Sequence, residues 1–138
     1  MHLLLENMNR EPADAEVNYL GYTREECAFY FDHLKSPNLH WTFTINHATL
    51  VPEGIDGFID AFGIERMREV RVADNLADKE HHMFPGQGSI DFRALFLRLE
   101  GLGYTGHYTN GFGTLDDMIR GRDYLVAEAK AAGVLSAQ

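Results

Sequence analysis

Short apolar or alternating runs take turns with longer stretches of helical spacing along this chain. That is the pattern of β-α units laid around a parallel sheet. Leu3 to Met8 reads as a first strand, followed by a polar stretch with Pro12, Asp14 and Asn18. Thr23 with Glu26 three residues on has the form of a capping box. Cys27, Tyr30, Phe31 and Leu34 then fall at helical spacing and predict one buried face, and Pro37 ends that helix. A second strand is expected from Trp41 to Asn46, with a helix from Glu53 to Phe62 carrying Ile55, Phe58, Ile59 and Phe62 on one stripe. Arg68 to Ala73 reads as the third strand and leads into a long polar loop, Asp74 to Gly88. The next helix turns Phe92, Leu95, Phe96 and Leu99 inward and stops near Gly101 and Gly103. A fourth strand spans Tyr104 to Asn110. Thr114 with Asp117 then opens a last helix lined by Leu115, Met118, Ile119, Leu125, Val126 and Ala129.

Four β-α units result, without a linker or low-complexity tract, so residues 1–138 read as a single domain. Right-handed crossovers place the strands side by side in chain order. Four parallel strands with every helix on one face leave the other face uncovered and two edges unpaired. A complete (β/α)8 barrel takes about 250 residues, roughly twice this chain. The expected architecture is half of such a barrel, completed by oligomerisation.

Composition narrows the partners. Twelve basic against 21 acidic residues give a net charge of −9, which repels phosphate backbones and anionic lipid, so neither nucleic acid nor membrane is an expected partner. No apolar run approaches the ~20 residues that span a bilayer. The start lacks the basic segment of a signal peptide, and the single cysteine, Cys27, forms no intrachain disulfide. A reducing cytoplasm is the expected compartment.

The segment His82-Met83-Phe84-Pro85-Gly86-Gln87-Gly88-Ser89-Ile90-Asp91-Phe92 resembles the H-x-x-P-G-x-G-x-I-D-[FW] motif of the xylose-isomerase-like sugar-phosphate isomerase/epimerase superfamily, which also contains the apurinic endonucleases. Leu5-Glu6-Asn7, Ser36-Pro37-Asn38, Ile45-Asn46-His47-Ala48, Val72-Ala73-Asp74-Asn75 and Gly103-Tyr104-Thr105-Gly106 match further landmarks in the same order. The resemblance implies the C-terminal half of a TIM barrel, strands five to eight. It also implies one divalent metal held by a Glu, an Asp, a His and a second Glu at the strand ends. Glu6 matches the first ligand, but Thr44 stands at the Asp position and Arg71 at the His position before Asp74. Thr109, Asn110 and Gly111 occupy the region of the second Glu. The metal site is therefore expected to be degenerate. His47, and His82 with Glu80, resemble residues that bind substrate or an additional zinc in relatives. That makes Glu6, His47, Glu80 and His82 the candidate ligands for Zn, Mn or Mg, with a metal-free protein as the alternative.

Strand alternation supplies a separate expectation, because residues two apart share a face. Trp41, Phe43 and Ile45 are expected to face the helices, leaving Thr42, Thr44 and Asn46 opposite. Val70 and Val72 leave Glu69 and Arg71 opposite in the same way, and Thr105, His107 and Thr109 share a face. The inner face is thus polar where a packed barrel carries Val, Ile and Leu. Glu6 and Arg71 are expected to meet at the strand tops. Two functions fit. One is a sugar or sugar-phosphate isomerase/epimerase, with Glu6 as base, His47 as proton donor or substrate ligand, Arg71 as electrophile, and Thr44, Asn46 and His107 binding substrate. The other is a non-catalytic half-barrel that serves assembly or binds a small sugar-like ligand. Its partner is expected to be a second copy or a separately encoded N-terminal half. A truncated gene product is a third possibility.

Overall fold

The structure, a computed structural model, describes residues 1–136. Its elements, in order, are β1 (Leu3–Glu6), α1 (Arg24–His33), β2 (Leu39–Thr44), α2 (Ile45–Ala48), α3 (Gly54–Phe62), β3 (Met67–Val72), α4 (Phe92–Gly101), β4 (His107–Asn110) and α5 (Leu115–Ala131). The four strands form one all-parallel sheet in the order β1-β2-β3-β4. Among the described residues β1 and β4 each pair with one neighbour only, so both edges are open, as four consecutive β-α units require.

The helix-facing side of the sheet carries the core. Trp41 and Phe43 of β2 and Val70 and Val72 of β3 are buried against Phe58 and Ile59 of α3 and Phe92, Leu95, Phe96 and Leu99 of α4. The four α4 positions are those the helical spacing selects. Trp41 sits 4.5 Å from Phe43 and edge-on to Phe62 at 5.3 Å, offset and T-shaped contacts that favour aromatic packing. Thr114 and Asp117 form a full capping box at the start of α5. At α1 only half of the box closes. Thr23 caps Glu26, but the Glu26 carboxylate accepts from the N–H groups of Gly21 and Tyr22 instead.

Several expectations need correction: β1 ends at Glu6 and not at Met8, and β4 begins at His107 and not at Tyr104. Leu34 lies past the last turn of α1 and is 54% exposed, and Leu115 and Ile119 of α5 are exposed as well. Helical spacing names a face without saying whether anything covers it. The second strand ends at Thr44, and residues 45–48 turn into the short helix α2. Ile45 continues the apolar alternation of β2, so the pattern alone extends the strand, and the turn instead lifts Asn46 and His47 onto the rim. Every residue of β2 is buried, Thr42 and Thr44 included, so its inner face is already screened by its neighbours.

Candidate functional site

The C-terminal ends of the strands surround a cleft of about 290 Å³ lined by residues that include Glu6, Thr44, Asn46, His47, Glu69 and Arg71. Strand order and register bring them together. β1 offers Glu6, while β2 and β3 pair Thr44 with Arg71. Arg71 Nη1 donates to Glu6 Oε2 at 2.8 Å and Nε donates to Glu69 Oε1 at 3.1 Å. Thr44 Oγ1 donates to the other Glu6 oxygen at 2.6 Å. Burial alone pulls the Arg71 guanidinium down, but its bonds and charges with Glu69 and Glu6 outweigh that and raise its pKa.

The other wall is built on the end of β1. Asn7, fully buried, pairs its side-chain amide with both backbone groups of Thr44, continuing the ladder where the strand stops. Its own carbonyl meets His47 Nδ1 at 2.8 Å. A carbonyl only accepts, so Nδ1 carries a proton and Nε2 is the atom presented to the cleft. Nε2 lies 3.1 Å from Glu80 Oε1, and His82 Nε2 reaches the same oxygen at 2.7 Å. Asn46 Nδ2 donates to it at 3.3 Å. Burial lowers the His47 pKa, but the hydrogen bonds to Glu80 and Asn7 and the charges of Glu80 and Glu6 reverse the sign, and the net shift is upward. Glu80 is shifted the other way. Burial raises it, while the hydrogen bond and charge of His47, with His82, bring it below its ordinary value.

Glu80 and His82 ride on the loop after β3, and Asp74 holds that loop. Its buried carboxylate accepts from the N–H groups of Gly86 (2.7 Å), Gly88 (2.9 Å), Ile90 (3.1 Å) and Asn75 (2.9 Å). Gly88 allows this approach, because a Cβ there would collide with the Asp74 carboxylate and the Asn75 backbone. Gly86 adopts φ +91°, a conformation glycine takes without strain. Asp74 therefore positions the rim and is itself sealed from the cleft.

Of the residues the sequence nominated, the structure gathers Glu6, Thr44, Asn46, His47, Arg71, Glu80 and His82 around the cleft. His107 is the exception. It pairs in register with Glu69, two residues below the Arg71–Thr109 level, and β4 lines the cleft with Thr109 instead. Alternation assigned His107 to the correct face but says nothing of height along the strand. Asn7 and Asp74 are the residues that the search for chemistry passed over as functional parts. The signal for Asp74 is its place before a loop containing Pro85-Gly86-Gln87-Gly88.

A family model for the xylose isomerase-like TIM barrel matches residues 1–133. The chain belongs to that family. Among solved structures it is similar to a D-tagatose 3-epimerase-like protein (TM-score 0.82, 23% identity), covering 96% of this chain and 48% of that one. L-ribulose 3-epimerase matches with TM-score 0.73 and 18% identity over 96% and 48% of the two chains. The apo form of 3-keto-D-glucoside 4-epimerase from E. coli matches with TM-score 0.71 and 21% identity over 94% and 46%. At these identities the likeness shows the fold, and the chain spans about half the length of each structure. No curated protein sequence matches it. No described helix is long and apolar enough to cross a membrane.

In this family member the four-ligand metal site implied by the resemblance does not fit. Both Glu6 oxygens already accept from protein donors, one of them a permanent cation, and no carboxylate or imidazole stands at positions 44 and 71. A different set does fit. Ligand atoms of His47, Glu80 and His82 lie within 4.8 Å of one another. The His47 tautomer is fixed with Nε2 inward, and Glu80 Oε2 is buried without a partner. Two imidazoles and a carboxylate suit zinc and related divalent ions.

Proposed function

We propose that this protein is a sugar isomerase or epimerase, to whose barrel the chain contributes the half that carries the proton-transfer groups. The observation that supports this most is the convergence of a carboxylate (Glu6), a guanidinium (Arg71) and a histidine (His47) on one polar cleft at the C-terminal ends of parallel strands. That is the end where barrel chemistry is placed. The Glu6 carboxylate, held beside Arg71, takes the proton from the carbon next to the sugar carbonyl. The Arg71 guanidinium steadies the resulting enediolate oxygen. His47, whose pKa the Glu80 and Glu6 carboxylates push up, returns a proton to the opposite face or to the adjacent carbon. Asn46 and Thr109 offer hydrogen bonds to substrate hydroxyls. A second four-stranded unit, another copy or a separately encoded half, closes the ring over the cleft.

His47, Glu80 and His82 are the residues that would hold a divalent ion. It would supply Lewis-acid polarisation of a substrate oxygen at the rim, and His47 is then a ligand and not the proton donor. The test is solvent exchange. The assembled protein is incubated with uncharged and phosphorylated ketoses and aldoses in D2O, and deuterium at the carbon beside the carbonyl is read by mass spectrometry. The expected result is uptake from at least one sugar, reduced by about a hundredfold or more in Glu6→Gln. No uptake from any sugar overturns the reading and leaves a binding subunit.

A further inference from the structure

Glu6 and Glu69 stand on β1 and β3, whose backbones are separated by the whole of β2, about 10 Å at ordinary strand spacing, and their side chains close that gap onto one guanidinium. Two carboxylates facing one cleft repel each other and attract a cation. Here the demand is met by Arg71, whose Nη1 binds Glu6 and whose Nε binds Glu69. Thr44, lying between them, donates its hydroxyl to the remaining oxygen of Glu6. The residues at positions 44 and 71 thus act on the same carboxylate. A hydroxyl donor and a fixed guanidinium complete the hydrogen bonding of Glu6, and an added carboxylate at 44 would leave it surplus negative charge.

We propose that Arg71 is the built-in cation of this cleft. Its guanidinium fills the cation position on Glu6, so that carboxylate takes up no divalent metal while Arg71 is present, and removing Arg71 leaves Glu6 open to a divalent ion. This rests on the hydrogen-bond geometry and not on catalysis, so it survives or fails separately from the proposed reaction.

The experiment reads metal stoichiometry, by the loss of the free Mn2+ signal in electron paramagnetic resonance. His82→Ala is introduced throughout to disable the rim cluster. The expected result is that H82A binds no Mn2+ that depends on Glu6. H82A with Arg71→Ala gains one Mn2+ per chain, at least about tenfold tighter than any binding by H82A alone, and loses it on adding Glu6→Gln. Arg71→Gln, closer in shape, serves as the second variant and is expected to behave alike, with circular dichroism confirming the fold. The proposal is overturned if H82A with Arg71 intact binds Mn2+ and releases it on Glu6→Gln. It is equally overturned if the folded Arg71 variants gain no metal.

Discussion

His40 and His47 are both buried and stand seven residues apart, one near the start of β2 and one just past its end. Their surroundings are opposite. At the base, burial lowers the His40 pKa, and the nearby side chains of Arg68, His2 and Arg66 push it further down. At the rim, burial acts on His47 in the same direction, but Glu80 and Glu6 overturn it. Burial sets a bias toward the neutral ring, and the charge within reach decides whether the bias stands. One end of β2 therefore lowers the pKa of its histidine and the other raises it. The raised one sits in the cleft where proton transfer is proposed.

The largest way to break this contrast is through Asp74. Its carboxylate accepts four backbone N–H groups of the loop that carries Glu80 and His82. Asp74→Ala leaves those donors unpaired, each at a cost of about 1–3 kcal/mol where it remains buried. A loss of about 3–5 kcal/mol is expected in urea denaturation, reduced from the full sum by water entering the loop. In the protein that remains folded, the His47 pKa should fall while that of His40 stays unchanged. An equal change at both rings would show that the two ends are coupled.

How much of this was legible in the sequence follows from what periodicity encodes. The inward face of α4, the capping box at Thr114 and the parallel order of the strands depend on local spacing and handedness, and each is readable from the chain. The meeting of Glu6 and Arg71 follows from the same rules, since parity fixes the face and order fixes the neighbours. Three features lay beyond them. The turn at Ile45 interrupts an unbroken apolar alternation where the Asn7 side chain, just past the neighbouring β1, takes both backbone groups of Thr44. The approach of Glu80 to His47 depends on the path of a long loop, set by Asp74 and not by any periodic signal. The height of His107 depends on register, and strand pairing decides that.

A smaller and cleaner perturbation is Glu80→Gln, which removes the rim charge and keeps the shape. The wild-type pair has a defined pH window. Glu80 is depressed, so its contribution is present above its unfolded value near 4.5 and is lost as pH falls through the folded value. His47 is raised, so its contribution is complete below about 6.5 and fades as pH rises through its folded pKa. Removing the charged partner should cost about 1–2 kcal/mol inside that window and little above it. In an imidazole titration followed by NMR, His47 should move down while His40 does not. A variant in which His47 stays raised would assign the effect to Glu6 and Asn7.

The mildest test acts at the base. His40 Nε2 lies 2.8 Å from His2 Nδ1, and the rings are 4.8 Å apart. His2→Phe keeps a ring over His40 but removes one of the three neighbours that push its pKa down. Burial leads the causes of the His40 shift and Arg68 and Arg66 remain, so its pKa should rise only part of the way toward the ordinary value. A depressed histidine contributes stability that is complete above about 6.5 and lost as pH falls toward its folded value. The acid side of the urea-midpoint profile should therefore soften slightly, with no change on the alkaline side where His47 acts. Full recovery of the ordinary His40 pKa would make His2 the dominant cause. The base would then differ from the rim in a single neighbouring ring, and the opposition between the two ends of β2 would no longer rest on burial.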